Sequence, residues 1–135
     1  MTDCIFCKII KKEIPASVVY EDKNTLAFLD INPVNPGHTL VISKKHFETL
    51  EEATEDSLVD IIKTVKKLIK PIDKALNPVG INIALSNKPG AGQVVPHMHF
   101  HIMPRFKGDG HELFEGKKAS PETLKQVADK IKSLL

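Results

Sequence analysis

The sequence predicts an α+β domain built around an antiparallel β-sheet. Several short apolar, β-branched segments follow one another through brief turn-forming stretches, and one long segment with helical periodicity interrupts them. Strands joined by short turns pair antiparallel, whereas parallel strands need a crossover between them. With 135 residues, 41% of them hydrophobic, the chain is long enough for one core and too short for two ordinary domains. We therefore expect a single domain over 1–135 with about five strands, one long helix and short helices at both ends.

The predicted elements begin with a short helix and a hairpin. Apolar residues recur at helical spacing after Asp3, a typical N-cap residue, so a first helix is expected to run to about Lys12 and to end before Pro15. Segments 17–21 and 25–30 predict two strands, and the three polar residues between them predict the hairpin turn. The stretch NPVNPG that follows is dense in turn-forming residues and predicts a loop.

The long helix lies between two further strands. Residues 38–43 are apolar and β-branched and predict a buried strand, and 80–86 predict another. After Thr54, apolar residues step by three or four from position 58 to position 76, which indicates an amphipathic helix. Pro71 should bend or shorten this helix near its end.

The last elements are a strand and a helix. A flexible loop at 87–92 leads to a strand over 96–105, in which residue types alternate strictly. Ser120 is expected to cap a last helix with Pro121 at its first position. The apolar residues of that helix fall on one side: Leu124, Val127, Ala128, Ile131, Leu134 and Leu135.

Composition excludes several classes of protein. The net charge is only +2, and Arg105 is the single arginine, so nothing indicates a dedicated nucleic-acid-binding protein. No apolar run approaches the roughly 20 residues that a membrane helix needs, and no secretory signal is evident at the N-terminus. The two cysteines, spaced C-x2-C, suit a metal site or redox pair in a reducing compartment better than a disulfide framework. We expect a cytoplasmic protein.

Three of the six histidines fall within five residues, at His97, His99 and His101. Alternate residues of a strand share a face, so the three imidazoles should line one side while the residues between them enter the core. The Cα atoms of His97 and His101 should lie roughly 13 Å apart, too far for one zinc ion to gather all three rings. Such a row suits a ligand with several groups in line, such as a phosphate chain.

Imidazole can attack phosphorus, donate hydrogen bonds to phosphate oxygens and carry protons near neutral pH. Two other interpretations stay open: a solvated polar face of an edge strand, and a metal site that uses two of the three rings. We favour a catalytic face because the alternation is strict and a glycine loop ending in Gly92 and Gln93 precedes it.

These residues resemble those of the histidine-triad (HIT) family. Segment 91–105, AGQVVPHMHFHIMPR, is similar to its His-φ-His-φ-His-φ-φ signature, where φ is apolar. Segment 28–42, FLDINPVNPGHTLVI, resembles its nucleotide-binding strand and loop, and segment 4–10, CIFCKII, resembles its zinc-containing microbial branch. The match covers about 3–106. The tail and helix over 107–135 carry no family pattern and are a candidate for setting substrate preference.

The resemblance implies a homodimer in which the sheets of two subunits join edge to edge. It also implies a nucleotidyl hydrolase or transferase that acts at the α-phosphate of nucleoside phosphoramidates or dinucleoside polyphosphates, with purine preference, through a covalent nucleotidyl-histidine. It makes His99 the nucleophile and His101 a donor to phosphate oxygens. Gln93 would contact the phosphate or leaving group, Asn87 and Gly92 would line the same loop, and the backbone carbonyl of His38 would fix the tautomer of His99.

The resemblance also supplies a nucleoside pocket. Asp30 would accept hydrogen bonds from the two ribose hydroxyls, since a carboxylate has two oxygens for a vicinal diol. The base would lie among five apolar residues: Ile5, Phe6, Ile9, Phe28 and Ile31. Asp30 as an ordinary turn residue, and any one of the apolar residues as plain core, are the alternatives.

Cys4 and Cys7 are half of a tetrahedral zinc site. By resemblance His46 and His97 complete it, as a closed, structural Cys2His2 site that joins the N-terminal helix to the histidine strand. Two thiols without a role, a redox pair, and iron or another thiophilic metal stay open as alternatives.

Two rival functions accompany the hydrolase hypothesis. One is a zinc-stabilised nucleotide-binding or adaptor protein without turnover, and the other is a metal-dependent hydrolase with the triad as metal ligands. The sequence does not separate phosphoramidates from dinucleoside polyphosphates as substrates.

Overall fold

The computed structural model describes residues 3–135 and contains one five-stranded sheet. Its strands lie in the order β1-β2-β3-β5-β4, and every neighbouring pair is antiparallel. The strands are β1 Val18–Glu21, β2 Thr25–Leu29, β3 Thr39–Ser43, β4 Gly80–Leu85 and β5 His99–Arg105. The predicted α+β class is confirmed, with strand boundaries that differ by a few residues at most.

Three α-helices accompany the sheet: α1 Ile5–Ile10, α2 Glu55–Leu76 and α3 Pro121–Lys132. Ser120 caps α3 as predicted, and Thr54 caps α2 in the same way, each accepting a hydrogen bond from the backbone N–H three residues later. The expected cap of α1 at Asp3 is wrong, because the Cys4 sulfur accepts the backbone N–H of Cys7 instead. No helix in the described part of the chain is long and apolar enough to cross a membrane.

Pro71 does not shorten α2, contrary to one of the two expectations for it. The helix continues to Leu76 and ends at Asn77, whose left-handed backbone (φ 51°) forms the C-cap. Leu68 and Ile72 pack into the core on either side of the proline, and their burial offsets the hydrogen bond that its ring removes.

Both faces of the sheet are covered. Helix α2 packs on one face, where the buried cluster comprises Ala27, Val41, Ile61, Val65, Leu68, Met98 and Ile102. Helix α1 packs on the other, where the cluster comprises Cys4, Phe6, Leu26, Phe28, Leu40 and Ile42. Because β2 and β3 are buried on both sides, their central residues, 26–28 and 40–42, form continuous apolar runs instead of alternating with polar residues.

The histidine strand begins later than predicted. Strand β5 starts at His99, whereas a strand from residue 96 was expected. Before it, the chain bends at residues 95–97, where the backbone N–H of His97 donates to the carbonyl of Val95 at 2.8 Å, and the backbone N–H of Met98 donates to the carbonyl of Phe47 at 2.7 Å. This arrangement directs His97 away from the other two triad histidines.

Candidate active site and metal cluster

A cavity of about 410 Å³ lies on the α1 side of the sheet. Helix α1, the end of β2 and the loop before β5 form its walls, and two triad residues, His99 and His101, reach it from β5. Seven of the predicted substrate residues also line it: Ile5, Phe6, Ile9, Phe28, Asp30, Ile31 and Gly92. The cavity is thus mostly apolar, with a carboxylate and two imidazoles at one part of its wall.

The tautomer of His99 follows from its hydrogen bond. Its Nδ1 lies 2.7 Å from the carbonyl oxygen of His97, which can only accept, so Nδ1 carries the proton. The expectation that the His38 carbonyl does this is wrong, because that carbonyl accepts the backbone N–H of Asp30 at 2.9 Å. The chain bends at His97 before β5 begins, and this is where the accepting carbonyl lies.

The second nitrogen of His99, Nε2, is free. It has no hydrogen-bond partner among residues 3–135, and the only buried side-chain polar atom without a partner in that range is Thr49 Oγ1. Nε2 is therefore accessible, although the residue as a whole is only 8% exposed. Burial lowers the pKa of His99, which keeps the ring neutral at neutral pH and leaves a lone pair on Nε2.

His38 and His101 form a hydrogen-bonded pair beside this ring. The backbone N–H of Val34 donates to His38 Nδ1 at 3.0 Å, so the proton of neutral His38 is on Nε2. That nitrogen lies 2.8 Å from His101 Nδ1, which must accept. His101 is therefore protonated on Nε2, and burial, followed by the neighbouring rings of His99 and His38, lowers its pKa to about 4. It is a neutral hydrogen-bond donor beside the cavity.

Asp30 supplies the anionic part of the cavity wall. One carboxylate oxygen accepts the backbone N–H of Asn32 at 2.8 Å, and the other lies 3.6 Å from His38 Nε2. The side chain is 19% exposed, so its remaining acceptor capacity is open to the cavity. This placement is compatible with the predicted contact to ribose hydroxyls.

The structure does not bring Gln93 and Asn87 into the cavity. Gln93 accepts the backbone N–H of Lys88 and donates to the carbonyl of Glu48, each at 2.7 Å, and is 6% exposed. Asn87 accepts the backbone N–H of Leu50 and donates to the Glu51 carboxylate. Both side chains tie the loop before β5 to the segment before α2, and neither lines the cavity wall.

Cys4, Cys7, His46 and His97 converge at a second site, and their ligand atoms all lie within 4.8 Å of one another. The Cys7 sulfur is 3.3 Å from His46 Nδ1, the Cys4 sulfur is 3.5 Å from His97 Nδ1, and the two Nδ1 atoms are 3.1 Å apart. Ligand atoms of a tetrahedral Cys2His2 zinc site lie roughly 3.3–3.8 Å apart, given bonds of about 2.0–2.3 Å. The donor set and its spacing therefore fit a tetrahedral metal ion.

His97 is oriented for this cluster and not for the cavity. It is fully buried, and its Nε2 lies 2.9 Å from the carbonyl of Ser43, so Nε2 carries the proton and the Nδ1 lone pair points to the two sulfurs. The expectation that all three triad rings face a phosphate chain is therefore wrong for His97. Only two of them reach the cavity.

Part of the cavity wall was not predicted from the sequence. Ile14, Pro15 and Ala16 line it after α1, and Val94 and Val95 line it before β5. The two valines could have been predicted as cavity residues, because they lie between Gly92 and His97 in the sequence. Residues 14–16 offer no such signal, because only the packing of α1 places them there.

Comparison with known proteins identifies the family of this chain. The model of the HIT domain family matches residues 11–108. An uncharacterised HIT-like protein of Methanocaldococcus jannaschii is 52% identical over 92% of this chain and 98% of its own length. The adenosine 5'-monophosphoramidase hnt1 of Schizosaccharomyces pombe is 40% identical over 96% of each chain.

Comparison with solved structures gives the same family. A HIT family protein of Bacillus subtilis superposes with a TM-score of 0.91 at 42% identity, covering 98% of this chain and 97% of its own. A Zn-bound histidine triad family protein of Mycobacterium smegmatis superposes with a TM-score of 0.78 at 31% identity over 99% of each chain. The family model, these relatives and the shared five-stranded architecture show that the chain belongs to the HIT family.

Proposed function

We propose that this protein is a nucleotide hydrolase or nucleotidyl transferase in which His99 attacks the α-phosphorus of the substrate. The observation that carries the proposal is the His99 ring itself. Its Nδ1 proton is held by the His97 carbonyl, and its unprotonated Nε2 is accessible in an apolar cavity. The phosphoramidase activity named for the fission-yeast relative supports the same class of reaction.

The reaction would proceed in two steps. In the first, His99 Nε2 bonds to phosphorus, the bond from phosphorus to an amine or polyphosphate leaving group breaks, and the leaving group takes up a proton. In the second, water attacks the same phosphorus and releases a proton to solvent, the P–Nε2 bond breaks, and the nucleoside monophosphate leaves with the ring neutral again. The Nδ1 hydrogen bond to His97 stabilises the positive charge that the ring carries in between.

The surrounding residues bind the rest of the substrate. His101, a neutral donor through Nε2, would hydrogen-bond phosphate oxygens, and Asp30 would accept the ribose hydroxyls. The apolar wall formed by α1 and β2 would hold the base, by burial and by stacking against Phe6 and Phe28. Gly92 has a positive φ of 101°, which lets the backbone turn beside the phosphates without a side chain in the way.

The same proposal assigns a structural zinc ion to the cluster of Cys4, Cys7, His46 and His97. Zinc would close a tetrahedral site and tie α1, which forms one wall of the cavity, to the segment before β5. Burial and a hydrogen bond with Cys4 raise the pKa of Cys7, so a bound cation is what would favour its thiolate. We further propose a homodimeric, cytoplasmic protein acting on a purine nucleotide.

The covalent intermediate provides the direct test. The protein is mixed with adenosine 5'-phosphoramidate, quenched within milliseconds and measured by intact mass spectrometry, followed by peptide mapping. We expect an adduct of one adenylyl group on the peptide that contains His99, and none in His99→Asn. Turnover without an adduct, or an adduct on another residue, would refute the mechanism.

A substrate panel decides the finer question and the rival function. It contains adenosine 5'-phosphoramidate, lysyl-AMP and diadenosine polyphosphates, with nucleotide affinity measured in parallel. A nucleotide-binding or adaptor protein would bind AMP tightly and turn over no member of the panel, whereas the proposed hydrolase turns over at least one of them.

A further inference from the structure

The only arginine of the chain is at the centre of a cluster outside the cavity. Arg105, at the end of β5, donates through Nε and Nη2 to the two carboxylate oxygens of Asp109 at 2.8 and 3.0 Å. Its other contacts are with Asn82 Oδ1 at 2.9 Å and the carbonyl of His111 at 2.7 Å. Such a two-point pair fixes the orientation of both groups, which a single contact would not.

Asp109 is far more enclosed than an ordinary surface carboxylate. Its side chain is 7% exposed, and it also accepts the backbone N–H groups of Phe106 and His111 at 3.1 and 3.0 Å. The hydrogen bonds from Arg105, then those from the backbone, hold the pKa of Asp109 well below its usual range. It is therefore an ionised, rigid acceptor.

This acceptor holds the loop over residues 32–37. Asn35 Nδ2 donates to Asp109 Oδ2 and to the carbonyl of Pro104, both at 2.9 Å. His111 Nε2 donates to the carbonyl of Val34 at 2.8 Å. The adjacent loop residues Val34 and Asn35 are thus fixed by groups at the end of β5 and in the segment after it.

The same two loop residues fix His38. The backbone N–H of Val34 donates to His38 Nδ1 at 3.0 Å, and the carbonyl of Asn35 accepts the backbone N–H of His38 at 3.1 Å. The Val34 contact is what places the His38 proton on Nε2, from which it is donated to His101 at 2.8 Å. Movement of this loop would release the His38 tautomer and, with it, the proton arrangement of His101.

We propose that Asp109, held by Arg105, is a positioning residue that acts through Asn35 and Val34 on the pair of His38 and His101, with His111 as a second support. The effect on catalysis rests on the function proposed above. The positioning residues themselves do not line the cavity, so the unit would keep His101 as a donor toward the phosphate without contacting substrate: Asp109, Arg105, Asn35, Val34 and His111.

The test uses loop and tail variants, since removal of Asp109 would leave several buried donors unpaired. In Asn35→Ala and His111→Ala we expect kcat to fall about tenfold with KM within about twofold, because the donor is misplaced while the nucleoside pocket is intact. His111→Gln restores an N–H donor and should recover most of the loss. Lys125→Ala, which breaks an exposed ion pair with Asp129 on α3, is the matched control and should match the wild type.

The second readout is the ¹⁵N spectrum of the His38 ring, which distinguishes the two tautomers. We expect the Nε2–H form in the wild type and a mixture in Asn35→Ala and His111→Ala. Unchanged His38 signals in both variants, or a kcat loss that His111→Gln does not restore, would overturn the proposal. This spectrum requires no turnover, so it still decides the positioning role if the wild type hydrolyses no member of the substrate panel.

Discussion

His97 and His99 are two residues apart, yet they belong to different sites. His97 presents Nδ1 to two sulfurs and holds its proton on Nε2 against the Ser43 carbonyl. His99 holds its proton on Nδ1 against the His97 carbonyl and leaves Nε2 free at the cavity. The two rings thus have opposite tautomers. The backbone carbonyl that each ring finds, and not the residue type, decides which can ligate a metal and which can attack phosphorus.

The largest expected effect is the loss of activity when His99, and not His97, is replaced. His99→Asn removes the nucleophilic nitrogen, and we expect kcat/KM to fall by about 10³-fold or more while AMP binding and the melting temperature change little. Steady-state kinetics and calorimetry measure both quantities. Substantial activity in this variant would show that the cavity-facing ring is not the nucleophile.

The second effect should be on bound metal and stability, through the cluster and not through the nucleophile. Cys7→Ser leaves the cavity intact but removes one ligand of the cluster, so we expect loss of bound metal and a fall in the free energy of unfolding of about 3 kcal/mol or more. Metal analysis and denaturant unfolding measure this, and a chelator should act in the same direction on the wild type. Loss of activity on chelation, restored by added metal and without loss of stability, would instead support a metal-dependent hydrolase with the triad as its ligands.

The third and smallest effect concerns pH. His101 has its pKa lowered from 6.5 to about 4 in the folded chain, so between these values the unfolded chain binds a proton that the folded chain does not. Stability from this group is therefore complete above about pH 6.5 and decreases as the pH falls toward 4, by at most about 3 kcal/mol.

His101→Gln removes this group and is the comparison for the pH prediction. Melting temperatures of the wild type and the variant between pH 4 and pH 7.5 should converge at the acid end. Parallel curves would mean that burial of His101 does not contribute to the acid sensitivity.

Helices α2 and α3 show how far periodicity predicts structure. Both have capped N-termini and apolar residues on one side, and both form where the sequence indicates. Yet α2 buries Ile61, Val65 and Leu68 against the sheet, whereas every residue of α3 is exposed. Local spacing determines that a segment can be an amphipathic helix, but the partner for its apolar face lies elsewhere and is not encoded in the spacing.

The candidate site divides in the same way. The structure places the apolar wall, Asp30, His99 and His101 around one cavity, and the position of the two histidines on one face follows from strand alternation. Gln93 and Asn87, which the family resemblance places near the phosphate, do not line the cavity here, since both side chains bind backbone and carboxylate groups across the loop. Loop side chains follow the nearest unpaired donor or acceptor, which sequence spacing does not reveal.

The sequence by itself determined the class of fold, the order of its elements, the paired cysteines and the alternation of the three histidines. These are local properties, set by the period of apolar residues and by turn chemistry. The tertiary structure alone decided which carbonyl holds each imidazole proton, and hence which nitrogen of His97 and of His99 keeps a lone pair. It also decided that Asp109 and Asn35, 74 residues apart, meet beside His38. Hydrogen bonds between distant segments depend on chain folding, and no local pattern contains them.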